Sequence, residues 1–465
     1  MNGPIPETDR GAVWYARQAP PPEPRPPLTI DLDVDVCVVG GGLAGLTAAH
    51  EVARRGFSVA LLESGRIAGG ASGRNTGFVL PGFNAELETI AERIGSERAR
   101  RLWALSERGL DYVRRQVAAM PQIAPQPGWL CVSKTPQRRP LTEAVAALRE
   151  AGTQAEYWPV ERVRAALPSP AYFDAIHYPA AFAIDPLQYA HALAQAAEAA
   201  GARIFEATPA LAIDPDGVRK RIDTPSARVR AGHVVLAGNV DIGGLMPRLA
   251  ATLIPITTYV MVSAPLGPVL RETLAYRGAV SDGERADHHY RIVDGDRLMW
   301  CGRMTTAPAD PRRYARALAR AAARTFPQLG PVAAEHVWGG TLGMPLHRMP
   351  QIGELLPGVW VASGFGGHGL NTTAMAGELI ACGIVDSDQT WRQFAPYELV
   401  WAGGAVGRLA MRALYLGRRP LEGMEQAFAR QRERAQRRKR ARKAARKSAH
   451  LGNGTGASDP MQTKG

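Results

Sequence analysis

The stretch from Val34 to Glu63, VDVCVVGGGLAGLTAAHEVARRGFSVALLE, constrains the fold more than any other part of the chain. Val34, Val36, Val38 and Val39 predict a strand buried on both faces. Gly40, Gly42 and Gly45 complete G-x-G-x-x-G. In that pattern the first glycine allows the tight turn, the second lets backbone approach a pyrophosphate, and the third lets helix and strand pack closely. A helix from about Leu43 to Arg55, stopped by Gly56, aims its N-terminal N–H groups at the pyrophosphate. Phe57 to Leu62 predict a second strand. Glu63, 18 residues after Gly45, is placed to accept hydrogen bonds from ribose hydroxyls, which disfavours a phosphorylated ribose. The unit reads as a dinucleotide site and leaves NAD and FAD open.

Two further glycine-rich sites bear on that choice. One is GGASGRNTG, Gly69 to Gly77; the other is GFGGHG, Gly364 to Gly369, preceded by a short apolar strand, Val359 to Ala362. A helix running on to about Ile384, rich in small residues, follows the last loop. A nicotinamide cofactor needs only the first turn. A cofactor stretched through the protein needs several close backbone approaches, which favours FAD. A helix N-terminus at the third loop would stabilise negative charge on a reduced flavin.

Composition narrows the rest. A chain of 465 residues, 46% hydrophobic, holds one large or two ordinary cores. There is no run of 18 apolar residues and no signal-like start, so a cytoplasmic protein without a transmembrane segment is expected. Cys37, Cys131, Cys301 and Cys382 are widely spaced, which predicts reduced thiols and neither a disulfide framework nor a metal site. Of the net charge of +13, the segment Arg430 to Lys447 carries +10, with eleven Lys or Arg against Glu433. The body is near neutral. The tail is expected to be a solvated extension, with contact to acidic surfaces or nucleic acid as the alternative.

Along the chain, residues 16–30 predict a proline-rich arm pinned by Trp14 and Tyr15. Helices are expected over 86–120, 141–151, 160–167, 186–200 and 312–325, and a hairpin over 288–304 around Asp294-Gly295-Asp296. The expected fold is α/β plus α+β, a discontinuous Rossmann-like FAD-binding domain with a mixed-sheet substrate domain. The expected ranges are an arm at 1–30, the FAD-binding domain at 31–95, 176–248 and 336–400, and the substrate domain at 96–175 and 249–335. A helical segment at 401–428 and a basic tail at 429–465, expected to be disordered, complete the division.

The opening motif, ASGRN at 71–75, VVLAGN at 234–239, IPITTYVMVSAPL at 254–266 and HYRIVDGDRLMWCGR at 289–303 occur in this order. FPQL at 326–329, WGG at 338–340, RMPQIG at 348–353 and ASGFGGHG at 362–369 continue it. Together they span roughly residues 12–400. On these pieces the chain resembles the FAD-dependent amine oxidoreductases of the D-amino-acid oxidase and glycine oxidase superfamily, within it the gamma-glutamylputrescine oxidase branch.

The resemblance implies that Gly40, Gly42, Gly45 and Glu63 hold the ADP half, with Arg66 beside the adenine and Ala210 holding it through its backbone. It places Ser72, Arg74 and Asn75 at the pyrophosphate and flavin, Gly238 at the second chain crossing, and Gly366, Gly367, His368 and Gly369 along the flavin pyrimidine edge. His368, Tyr290, Arg303 and Trp338 are the candidates for catalysis and substrate contact, with Arg291, Arg348 and Trp300 beside them. His288 and His289 read as ordinary strand or surface residues. Residues 63–77 lack histidine and 335–355 lack cysteine, so non-covalent FAD is expected. Outside the tail the only lysines are Lys134 and Lys220, neither in a motif, which leaves an oxidase less secure than a flavoprotein. The implied reaction is hydride transfer from an amine or amino acid to flavin, with O2 or another acceptor. A flavin-dependent dehydrogenase of a hydroxy acid and a non-catalytic or RNA-associated flavoprotein are the rival readings.

Overall fold

The computed structural model describes residues 11–17, 22–282, 288–414 and 431. The expected basic tail, and the 415–428 part of the expected helical segment, lie outside the described residues apart from Gln431. Two sheets carry the fold. The first runs, edge to edge, Gln351–Leu356, Val359–Ser363, Arg228–Leu236, Leu32–Val39, Val59–Leu62 and Arg203–Phe205. Its last five strands are parallel, and the short strands Ala212–Asp214 and Lys220–Asp223 extend one side. Val36, Cys37 and Val38 are wholly buried because helices and connections cover both faces, which is why the strand reads as an unbroken apolar run. The helix Leu43–Ala53 follows at once, and Gly56 beyond it has φ 88.

The second sheet runs Ala334–Met344, Ile254–Ser263, Arg297–Thr305, His288–Val293, Ala279–Asp282, Gln126–Val132, Ala175–Ala183 and Phe78–Val79, with Glu156–Trp158 beside Ala175–Ala183. The expected hairpin forms with Asp294 and Gly295 both at positive φ in its turn. The expected helices at 186–200 and 312–325 form as Pro186–Ala199 and Arg312–Thr325, the first capped by Asp185 Oδ1, which accepts from the N–H groups of Leu187 and Gln188. The helical stretch expected over 86–120 forms as two helices, Leu87–Ile94 and Ser96–Ala118, with Gly95 at φ 85 between them.

Three expected ranges cut across the sheets, for 31–95 takes in Phe78–Val79 of the second sheet. The range 176–248 opens on Ala175–Ala183, and 336–400 on Ala334–Met344, yet both strands hydrogen-bond within the second sheet. The cofactor motifs follow strands of the first sheet, Leu32–Val39, Val59–Leu62, Arg228–Leu236 and Val359–Ser363, so they do not mark where strands of the second sheet begin or end.

One buried knot ties the two sheets together. The Arg74 guanidinium donates to the carbonyls of Gly69 at 2.9 Å and Gly11 at 2.9 Å. Trp338, wholly buried, donates from Nε1 to the Arg74 carbonyl at 2.9 Å. Trp14 and Tyr15 bury themselves against Trp338, as expected for an arm anchor, and the Tyr15 hydroxyl donates to the Asn75 carbonyl at 2.9 Å. Trp338→Phe keeps most of the volume but leaves a buried carbonyl without its donor. We expect it to cost about 1–3 kcal/mol of stability, read as a lower thermal midpoint, with KM for substrate unchanged. A changed KM at unchanged stability would return Trp338 to the substrate site.

Candidate active site

The C-terminal ends of the parallel strands bring the first two glycine sites together. Gly40 has φ 112, and a Cβ there would lie 2.7 Å from the Ala237 carbonyl oxygen and 3.0 Å from the Gly238 nitrogen, so the second crossing at Gly238 lies against the first turn. At the N-terminus of Leu43–Ala53, the Leu43 N–H donates to Ser72 Oγ at 2.9 Å, and a Cβ on Gly42 would stand 2.9 Å from the same atom. Ser72 thus stands at the helix N-terminus.

Glu63 accepts from the Gly41 N–H on Oε2 and from the Gly65 N–H on Oε1, both at 2.7 Å. Burial pushes its carboxyl above the usual range against the pull of these donors. A carboxylate offers about four acceptor directions, so capacity remains for ribose hydroxyls. Thr208, two residues before Ala210, donates its N–H to the Glu63 carbonyl at 2.8 Å, which keeps the Ala210 backbone on this side.

Three expected ligands do other work. The Arg74 guanidinium is turned to backbone carbonyls in the inter-sheet knot. Asn75 stabilises its own loop, donating to the Ser72 carbonyl at 2.7 Å and accepting from the Gly77 N–H at 2.8 Å. Arg66 reaches back to the Pro22 carbonyl at 2.7 Å and to Glu206 at 3.5 Å, tying down the arm. An arginine or asparagine beside a glycine loop satisfies nearby carbonyls as readily as it binds a phosphate.

The third loop is held open at the start of the helix Gly369–Val385. Gly366 N–H donates to the Gly343 carbonyl and Gly367 N–H to Asn84 Oδ1, both at 3.3 Å. Asn84 in turn donates to the Met344 sulfur at 3.1 Å. His368 caps the helix through its backbone with no side-chain cap bond, and a Cβ on Gly369 would meet no atom within 4 Å. The N-terminal N–H groups therefore border open space. The His368 Nδ1 is buried there without a hydrogen-bond partner. Burial drives the His368 pKa down to about 4, with His289 and Arg348 pushing the same way, so the imidazole is neutral at physiological pH.

The second sheet faces this loop with His289 and aromatic residues that the sequence did not single out for the site, and with the candidate Arg291. His289 shares a hydrogen bond of 2.8 Å with Ser281, which accepts from Trp129 Nε1 at 2.8 Å. Phe78 meets His289 edge to face at 5.7 Å, and Trp129 stacks on Tyr178 at 4.9 Å. His289 is thus neither a surface residue nor mere strand filler. Arg291, two residues on and on the same face, donates to the carbonyls of Thr76 at 3.1 Å and Ile184 at 2.9 Å. The alternation of the strand could have paired His289 with Arg291. It could not say which face met the loop, since both faces are buried.

That alternation removes Tyr290 and His288 from the site. Tyr290 is buried on the opposite face, stacked on Trp300 at 4.5 Å with Phe326 edge-on, in the core under Arg312–Thr325. His288 accepts from Trp300 Nε1 at 3.0 Å. Trp338 is core. Arg303 stands at φ 62 beside the bulge where pairing with Ile254–Ser263 shifts, its position set by the irregular backbone. Of the four catalytic candidates, His368 alone is built into the third glycine loop.

These residues fit a long dinucleotide: a helix N-terminus with a glycine turn at one end, a carboxylate with spare acceptor capacity, and a second helix N-terminus with an unpartnered imidazole nitrogen at the other. Comparison with known proteins agrees. A family profile described as FAD dependent oxidoreductase matches residues 35–382. Gamma-glutamylputrescine oxidoreductase of Escherichia coli is 30% identical over 382 residues, 80% of this chain and 89% of that protein. Glycine oxidase of Geobacillus kaustophilus is 26% identical over 391 residues, 80% of this chain and 98% of that protein. The solved L-proline dehydrogenase of P. horikoshii superposes with a TM-score of 0.65 at 18% identity, over 81% of this chain and 98% of that one, a likeness of fold. With a Rossmann-like sheet, a second sheet facing its glycine loops and a family match across three quarters of its length, the chain belongs to the FAD-dependent oxidoreductases of the D-amino-acid oxidase family.

Proposed function

We propose that the protein oxidises a C–N bond of a small amine or amino acid at the third glycine loop, with FAD held without a covalent link. The observation that carries the reading is the neutral His368 at a helix N-terminus, its Nδ1 buried and unpartnered, with His289 close enough to act on it. In this reading Gly40, Gly42, Gly45, Ser72 and Glu63 hold the adenosine and pyrophosphate end, and Gly366 to Gly369 the pyrimidine edge. Bound FAD supplies a two-electron acceptor for the hydride on the carbon beside nitrogen, leaving an imine for hydrolysis.

The chain's own residues bind and orient. Aromatic faces at Trp129, Tyr178 and Phe78 exclude water and pack a carbon chain. The unpartnered His368 Nδ1 meets the substrate's polar end, and because the ring carries no standing charge it does not repel an approaching ammonium. Arg348, exposed beside the loop and close enough to act on His368, supplies the charge that a carboxylate-bearing substrate would meet. Holding the substrate in this geometry contributes more than a strong base would, which suits a site with no acid–base pair. Lys134 is paired with Asp282 at 3.1 Å and Lys220 donates to the Gly217 carbonyl at 2.6 Å, so neither is offered to the flavin loop. This supports an acceptor other than O2.

Four outcomes follow. Anaerobic addition of the right amine bleaches the flavin absorbance, and turnover releases ammonia or a smaller amine; bleaching by a hydroxy acid without nitrogen release would overturn the amine reading. Gly369→Leu places a side chain in the open space at the helix N-terminus, so the protein should fold but purify nearly free of FAD; full flavin content would move the pyrimidine edge elsewhere. His368→Gln should lower kcat/KM about 10–100-fold, the loss of one hydrogen bond to a charged group. The same variant tests the titration. The folded imidazole stays neutral down to about pH 4 whereas the unfolded one takes a proton below 6.5. The wild type therefore carries this group's stability above pH 6.5 and loses it as pH falls toward 4. The stability difference between wild type and variant should shift against the wild type over that window, and a pH-independent difference would contradict the assignment.

A further inference from the structure

Two imidazoles stand at the third glycine loop, His289 close enough to act on His368. The hydrogen bonds around them fix which nitrogen of each carries the proton. Ser281 and His289 are cross-strand partners in Ala279–Asp282 and His288–Val293, and Trp129 lies on the neighbouring strand Gln126–Val132. The Ser281 side chain is buried, at 1% exposure. It accepts from Trp129 Nε1 at 2.8 Å, because an indole N–H only donates. Its second bond, 2.8 Å to His289 Nδ1, has two possible directions. Among the described residues the Ser281 hydroxyl has no third partner. If Nδ1 were the donor, the hydroxyl hydrogen would be buried with nothing to receive it, which folded proteins seldom tolerate. The hydroxyl therefore donates to Nδ1, and the neutral His289 ring holds its proton on Nε2. A doubly protonated ring would strand the same hydrogen. His368 carries its proton on the same nitrogen for another reason. Its ring bonds the Pro81 carbonyl, which only an N–H can do, while its Nδ1 has no partner. The proton is thus on Nε2, and Nδ1 is a bare acceptor.

We infer that Ser281, backed by the Trp129 indole, is a positioning residue that locks His289 as a hydrogen-bond donor, so that a substrate at this loop meets one donor and one acceptor. The inference rests on the reading of the third loop as the reacting site. The order of the relay suits the task, since a hydroxyl that accepts from the indole donates more strongly to the imidazole. Without the lock, His289 could carry its proton on Nδ1 and offer Nε2 as a second acceptor beside His368. Two acceptors would favour an ammonium, whose hydrogens are all donors and whose nitrogen has no lone pair to support loss of hydride from the neighbouring carbon. A fixed donor in one of the two places asks the substrate for an acceptor atom, an uncharged nitrogen or an oxygen. The pair thereby favours the amine that has lost its proton, which is the form from which hydride leaves.

The test uses the full-length FAD-bound protein carrying isotope-labelled histidine, read by NMR of the ring nitrogens. With His289→Gln to identify the signals, His289 should be protonated on Nε2 and bare on Nδ1. Ser281→Ala should mix the two tautomers, and Ser281→Thr, which keeps the hydroxyl, should retain the single form. With the amine that bleaches the flavin, Ser281→Ala should lower kcat/KM about tenfold, the loss of one oriented hydrogen bond, and Ser281→Thr should stay within about twofold of the wild type. A His289 proton found on Nδ1 in the wild type overturns the inference. Equal losses in the two serine variants with an unchanged tautomer also overturn it, since a residue that only fills space behaves that way. A tautomer that mixes in Ser281→Ala while kcat/KM holds overturns the role toward the substrate. Failure of every amine to bleach the flavin would strike the amine reading instead, and the nitrogen spectra would still decide the lock.

Discussion

The close packing of two helices is the constraint on which the site depends. A Cβ added to Gly377, in the helix Gly369–Val385, would lie 2.6 Å from Thr47 Cβ and 2.7 Å from the Ala48 nitrogen of the first helix. From the other side, a Cβ on Gly109 would lie 2.1 Å from the Asn371 carbonyl oxygen. The helix Gly369–Val385 is thus clasped between two others at near-backbone contact. Only that closeness lets the helices after Leu32–Val39 and Val359–Ser363 stand together and present both N-termini at the carboxyl ends of one parallel sheet. One long anionic cofactor can then be met at two points by backbone dipoles that need no reorganisation.

Electrostatics at the far end follow from that arrangement. At the cap of Gly369–Val385 the His368 ring is desolvated, its Nδ1 buried, and it stays neutral although the helix N-terminus borders open space. His289 is set against it by a chain of hydrogen bonds through Ser281 to Trp129, which fixes side chains from three strands of the second sheet. The sheets in turn are locked by buried hydrogen bonds from Arg74, Trp338 and Tyr15. The positioning of the site is therefore bought in the inter-sheet knot.

The adenosine end was legible in the residues because its signals are local. A strand, a turn, a helix and an acid lie within thirty residues, and each residue type is demanded by backbone geometry. The third loop was legible for the same reason. What escaped is whatever depends on partners distant in sequence. Trp338 and Arg74 look like ligands until the arm at Trp14 and Tyr15 folds over them. The strand His288–Val293 is buried on both faces, so no polar alternation marks His289 as site-facing and Tyr290 as core, although Arg291 was already a candidate. Trp129, Tyr178 and Phe78 come from three separate strands, and only sheet pairing gathers them.

The central claim is that a single FAD spans the two helix N-termini, its pyrophosphate at Leu43 and Ser72 and its pyrimidine edge at Gly366 to Gly369. A crystal structure of the FAD-bound protein tests it most directly. The account predicts diphosphate oxygens at the start of Leu43–Ala53, ribose hydroxyls on Glu63, and the flavin ring between the GFGGHG loop and the face bearing His289. A flavin ring placed on the Tyr290–Trp300 face, or away from Gly369, would contradict it.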